Sequence, residues 1–154
     1  MITEPRRRTA VRVLPLDHRD RVLLLHGFDP ARPDEPYWFT VGGGLEPGES
    51  PVAAAVRELA EEVGLAVDPG ALVGPLGRAT IEFEFDSVRY VQEQTYYAVR
   101  VDPAEPISFA GQDAIEHSSI DAWAWFSAAD LAGTGDPVHP DDLADLLARA
   151  ARSC

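Results

Sequence analysis

Thiols are nearly absent from this chain. The single cysteine, Cys154, is its last residue, so no internal disulfide can form and the fold relies on its core. Long apolar runs are missing too. No segment approaches the length that spans a bilayer, and Arg6-Arg7-Arg8 is followed by no apolar stretch of the kind a signal peptide carries. The expected compartment is therefore the cytoplasm. Positive charge is scarce: 13 basic residues stand against 26 acidic ones, for a net charge of -13 and a pI near 4.5. That balance argues against binding a nucleic-acid polymer or an anionic membrane, since both want a basic surface. It also means that the overall field does not steer an anionic substrate inward. There is no internal repeat and no low-complexity tract.

What is present suits one globular domain over residues 1–154, with residues 1–8 expected as a flexible tail. Hydrophobic residues make up 45% and charged residues 25%, and several of the 13 prolines bracket loops. Alternating or short apolar runs predict strands over 9–16, 21–25, 37–41 and 122–126. Residues 79–85 and 88–101, joined at Asp86-Ser87, predict an antiparallel hairpin. Segments 26–36 and 102–114 read as loops rich in Gly, Pro and acids. Residues 127–131 suit a helical turn. Residues 140–151 predict a helix opened by Pro140, Asp141 and Asp142, with Leu143, Leu146, Leu147 and Ala150 as its buried stripe.

The stretch Gly43 to Leu65 reads GGLEPGESPVAAAVRELAEEVGL. A glycine run, Gly42-Gly43-Gly44, leads into the turn Glu46-Pro47-Gly48-Glu49. Ser50 is a good helix N-cap, Pro51 suits the first helical position, and Gly64 suits the stop. Val52, Val56, Leu59, Ala60 and Val63 fall on one apolar stripe. Glu58, Glu61 and Glu62 share a narrow arc nearly opposite it, with Arg57 alongside. Like charges at that spacing destabilise a helix by roughly 0.2–0.5 kcal/mol per pair. The arc is therefore either a solvated acidic face relieved by Arg57 or a site for a hard cation such as Mg²⁺ or Mn²⁺. Helix geometry alone does not choose, but a glycine turn beside it lets backbone approach a bulky ligand.

The stretch resembles the Nudix box in full: Gly43, five residues, Glu49, seven residues, Arg57-Glu58-Leu59, one residue, Glu61-Glu62, one residue, Gly64-Leu65. Val41 stands where many Nudix proteins have proline. The resemblance to the MutT-like Nudix hydrolases implies an α/β/α sandwich. Its mixed central sheet would carry the box helix on one face and the C-terminal helix on the other. It implies hydrolysis of a small-molecule nucleoside diphosphate derivative at a pyrophosphate bond, with Mg²⁺ or Mn²⁺. It further implies Glu58, Glu62, Glu61 and the Gly43 carbonyl as metal ligands, and Arg57 paired with Glu49 to hold the loop to the helix. Glu58, Glu61 and Glu116 are the candidate general bases. Glu116 is included because many Nudix proteins place an assisting carboxylate before a terminal aromatic strand. Arg32, Tyr37 (or Trp38), Arg89 and Glu93 are candidate substrate contacts, each weighed against an ordinary surface or core role. His117 is a further loop candidate.

Two other readings share the fold. One is a nucleotide-binding regulator without catalysis, although such domains usually lose box residues that are intact here. The other is an isoprenoid diphosphate isomerase, which needs a catalytic cysteine that terminal Cys154 is poorly placed to supply. Many relatives are homodimers. Nucleotide sugars, dinucleoside polyphosphates, oxidised nucleoside triphosphates and coenzymes all remain open as substrates.

Overall fold

The computed structural model describes residues 4–154. Among the described residues seven strands and four α-helices follow one another: β1 (Arg6–Leu16), β2 (Val22–Asp29), β3 (Arg32–Gly44), α1 (Pro51–Val63), β4 (Val73–Phe85), β5 (Val88–Arg100), α2 (Ala114–Ser119), β6 (Ile120–Phe126), α3 (Ala128–Ala132), β7 (Val138–His139) and α4 (Leu143–Ser153). All seven strands belong to one mixed sheet. The antiparallel β4–β5 hairpin joins β1 through a parallel pairing that runs from Arg6↔Tyr90 to Leu16↔Arg100. β1 in turn pairs antiparallel with the end of β3, from Ala10↔Gly44 to Val13↔Val41. The middle of β3 pairs instead with β2, and β6 lies antiparallel on the far side of β2. β3 therefore changes partners near Val41, just before the glycine run.

Strand periodicity sorts the side chains onto two faces. Val11, Val13, Leu23, Leu25 and Val99 pack with Ala54, Ala55, Leu59 and Val63 of α1. Their neighbours in sequence, Leu14, Leu16, Val22, Leu24 and Ala98, pack with Leu143, Leu146, Leu147 and Ala150 of α4. The result is the expected α/β/α sandwich, with near-continuous apolar runs in β1 and β2 because both of their faces are covered.

Several local expectations are corrected. β1 starts at Arg6, so Arg6, Arg7 and Arg8 belong to the sheet, paired with Tyr90, Val91 and Gln92. Only part of the expected 1–8 tail is left, and residues 1–3 lie outside the described residues. The expected 26–36 loop is mostly strand. β2 runs on to Asp29 and β3 begins at Arg32, with the prolines accommodated where the register shifts between Gly27 and Asp29. Asp29 closes the turn by accepting from the Ala31 N–H at 2.9 Å and from the Asp86 N–H at 2.8 Å. Helix α2 and strand β7 were not foreseen. Helix α4 begins at Leu143 rather than Pro140, and no side chain caps it.

Helix α1 has the anticipated ends. The Ser50 hydroxyl accepts from the Ala53 N–H, and Gly64 adopts φ 72°. The Gly64 and Leu65 N–H groups close back on the Ala60 and Leu59 carbonyls. Its buried face, however, is turned from the expected stripe. Ala54, Ala55, Glu58, Leu59, Glu62 and Val63 are buried, while Ala60 is exposed and Val56 only half-buried. At about 100° per residue, Glu58 and Glu62 fall in the middle of that buried arc. The reason lies in the facing strand, where glycines leave room for carboxylates.

Candidate active site

Gly43 and Glu58 are in direct contact. A Cβ at Gly43 would lie 2.5 Å from Glu58 Oε1, which no ordinary contact allows. The neighbouring Gly42 N–H donates to Glu62 Oε1 at 3.2 Å. Backbone thus replaces water around two carboxylates that are only 8% and 3% exposed. Burial raises the pKa of Glu58 above its ordinary value, with Arg57 opposing. Burial raises that of Glu62 well above, helped by its hydrogen bond to Glu116.

Glu116 arrives from a different part of the chain. It is the third residue of α2, and it forms a capping box with Asp113: the Glu116 N–H donates to Asp113 Oδ1 at 2.8 Å, and the Asp113 N–H donates to Glu116 Oε1 at 3.1 Å. The preceding loop is fastened to the end of α1. The Gln112 side-chain amide donates to the Glu62 carbonyl at 3.0 Å, and the Ser108 N–H to the Val63 carbonyl at 2.9 Å. Two carbonyls left open by the helix terminus are satisfied in this way. Gly111 lies so close to the Glu61 backbone that a Cβ there would sit 2.8 Å from the Glu61 carbonyl oxygen. The outcome is one carboxylate oxygen each from Glu58, Glu62 and Glu116 within 4.8 Å of one another.

Arg57 braces the other side. Its Nε and Nη2 donate to the two oxygens of Glu49, both at 2.8 Å, and Nη2 also donates to the Gly44 carbonyl at 3.0 Å. Nη1 reaches Glu58 at 3.0 Å and Glu61 at 3.2 Å. This bidentate pair holds the Glu49 carboxyl at a pKa of about 2 and keeps Arg57 charged at every accessible pH. Glu61, whose side chain is 49% exposed, is turned toward Arg57 and solvent instead of joining the cluster.

Glu62 and Glu116 open into a cleft of about 720 Å³. Arg8 and Arg12, four residues apart on one face of β1, also line it. Arg12 sits opposite Gly42 in the sheet and donates to the Thr40 carbonyl at 3.1 Å. Arg8 lies over the Tyr90 ring, 5.8 Å from its centroid, and its Nε is buried without a hydrogen-bond partner among the described residues. Burial lowers the pKa of Arg8, with Arg12 adding to the effect and Glu58 opposing it.

Of the candidate substrate contacts, Arg32 and Tyr37 line the cleft. Arg32 is already engaged by Glu84 at 3.4 Å and by Glu35 at 4.0 Å. Trp38 points the other way, packing on Phe126 and His26 in the core. Glu93 is exposed on β5 and outside the cleft, because the alternation of that strand places Gln92 and Gln94 inward. Arg89 lines an adjoining depression of about 210 Å³ on the β4–β5 hairpin, which shares Glu82, Phe83, Glu84 and Tyr90 with the cleft but has no member of the carboxylate cluster. His117 is not among the cleft-lining residues. Arg12 and Gln112 were missed, and Arg8 was assigned to the expected tail. For Arg12 a signal existed: a cation inside the apolar part of β1, between Ala10 and Leu14 on the same face.

A family model described as "NUDIX domain" matches residues 6–148. The chain belongs to the NUDIX family. Within it, the chain is 35% identical over 123 residues to the RNA pyrophosphohydrolase of Roseobacter denitrificans, covering 71% of this chain and 72% of that protein. It is 39% identical over 69 residues to diphosphoinositol polyphosphate phosphohydrolase 2 of Mus musculus, covering 45% of this chain and 36% of that relative. Among solved structures, the MutT protein from Methanosarcina mazei Go1 superposes with a TM-score of 0.67 at 20% identity, covering 98% of this chain and 97% of that one. That likeness establishes the Nudix fold, and the family with its pyrophosphohydrolase relatives makes this chain a Nudix hydrolase.

Proposed function

We propose that this Nudix hydrolase cleaves the pyrophosphate bond of a nucleoside diphosphate linked to another moiety, using Mg²⁺ or Mn²⁺. The observation that carries the reading is the carboxylate triad of Glu58, Glu62 and Glu116, converging where a cleft bearing Arg8 and Arg12 begins. The residues suit a hard divalent cation. All the donors are oxygens, and Glu62 is so buried that its charged form is disfavoured until a cation compensates it. Glu58 and Glu62 would hold the ion together with the Gly43 carbonyl. Glu61 would join only by releasing Arg57. When bound, such an ion lowers the pKa of a coordinated water and neutralises phosphate oxygens.

The chain's own groups divide the remaining tasks. Arg57 fixes the loop through Glu49 and holds Glu58 in place. Arg8 and Arg12 offer donors to the phosphate oxygens. Of the three candidate bases, Glu116 lines the cleft, whereas Glu58 faces Arg57 and Gly43 and Glu61 faces Arg57 and solvent. Glu116 is therefore the group that accepts a proton from the attacking water.

Glu62→Gln is expected to weaken Mn²⁺ binding, read by titration calorimetry, and to lower kcat by more than about a hundredfold. Glu116→Gln is expected to lower kcat about 10²–10⁴-fold while Mn²⁺ affinity changes far less. Full Mg²⁺-dependent turnover in both variants would overturn these assignments. Nucleotide binding without any turnover by the unmodified protein would favour a regulatory domain instead.

A further inference from the structure

The cleft carries an unusual charge inventory. Among the described residues three arginines line it, Arg8, Arg12 and Arg32, and Arg32 is already paired with Glu84 and Glu35. Apart from Glu62 and Glu116, six further acids line it: Asp29, Glu35, Glu82, Glu84, Asp113 and Asp141. Free positive charge is thus concentrated at one end. Arg12 lies beside Gly42 and lowers the pKa of Glu62, and Arg8 senses Glu58. Away from that end acids and aromatics line the cleft together with neutral residues such as Ile81, Ile115, Ser119 and Ile120. Tyr37 and Phe39 on β3 adjoin each other at 5.5 Å between centroids. Phe83 and Tyr90 stack at 5.2 Å on the β4–β5 hairpin, and Phe85 follows Phe83 by one alternation of the strand.

Resting on the proposed hydrolase reading, we infer that the substrate is a diphosphate whose flanking moieties carry no further negative charge, with the cleft's acidic rim excluding polyanions. The two phosphates occupy the Arg8–Arg12 end beside the carboxylate triad. An uncharged ring system lies on the aromatic wall, where a planar face gains contact area and pays little desolvation. A polyanion would place its additional phosphates against Glu82, Glu84 or Asp141, where the cleft lining itself has no unpaired arginine, Arg89 lying in the adjoining depression. Discrimination of this kind comes from a repulsive element as much as from an attractive one. The specificity therefore differs from what the names of the RNA and diphosphoinositol relatives would suggest for them.

The test compares kcat/KM with Mg²⁺ for three probes: a nucleoside diphosphate sugar, a 5′-triphosphorylated oligoribonucleotide and a diphosphoinositol polyphosphate. The expected result is at least a tenfold preference for the sugar conjugate. Glu82→Gln/Glu84→Gln is expected to narrow that ratio at least fivefold. Raising NaCl from 50 to 300 mM on the unmodified protein should narrow it in the same direction, which covers a double variant that fails to fold. Preference for either polyanion overturns the inference and leaves the hydrolase reading standing. A ratio that moves neither with salt nor with the double variant overturns the role of the rim. Turnover of no pyrophosphate compound overturns both.

Discussion

Glu58 and Glu62 show how the same residue type takes opposite states within one helix. Glu61 lies between them in sequence and is half exposed, while they are buried against glycine backbone. The box sequence made all three visible as a group, but helix periodicity alone placed them opposite the apolar stripe. What reverses this is the absence of side chains at Gly42 and Gly43, a property of the preceding strand on which the helix packs. Glu49 illustrates the reverse case, a part-buried acid held ionised by a bidentate arginine. Its pKa of about 2 lies below the ordinary 4.5, so its pairing contributes stability at pH values above about 4.5. That contribution is lost as pH falls from there toward 2. Glu49→Gln should therefore be less stable than the unmodified protein at pH 7, with the difference in Tm shrinking toward pH 2. A gap that stays constant across that range would contradict the assignment.

At the scale of elements, the ends of α1 were legible because capping chemistry is local. Ser50, Pro51 and Gly64 each act within a few residues of the chain. Strand ends were less legible, since a strand is completed by a partner whose position local sequence does not reveal. Residues 26–36 looked like loop from their Gly, Pro and Asp content, yet β2 and β6 recruit His26 and Gly27 by pairing them with Ala122 and Ile120. Helix α2 is too short to announce itself, although Asp113 and Glu116 carry its capping box. Helix α4 depends on packing, as its N-terminus lacks a side-chain cap. Leu146→Ala, at a site 1% exposed between β1, β4 and the helix, should cost about 2–5 kcal/mol. Urea unfolding should show this as a lower midpoint at nearly unchanged slope, and a loss below about 1 kcal/mol would mean that α4 is not a main support of that core.

At the scale of the whole molecule, a net charge of -13 is combined with a buried carboxylate cluster. Glu62 titrates in the fold well above its ordinary value of 4.5, so the folded chain holds a proton that the unfolded chain has lost. Stability without metal therefore falls as pH rises from about 4.5 through the raised value. A divalent ion held by Glu62 would displace that proton, so it should bind more tightly, and stabilise more, as pH rises. The increase in Tm caused by 10 mM Mg²⁺ should be larger at pH 8 than at pH 6, and Glu62→Gln should weaken that pH dependence, leaving the smaller share of Glu58. An equal increase at both pH values would refute it. The amino-acid sequence by itself determined the box helix, its caps and the two apolar periodicities of the sandwich, because each follows from spacing within one segment, and the resemblance to the Nudix box implied the Arg57–Glu49 partnership. Only the tertiary structure decided that Glu116, not Glu61, completes the carboxylate cluster. It alone turned Arg8 and Arg12 into a cleft floor and kept Glu93 out, because those outcomes depend on register between strands and on where side chains are missing.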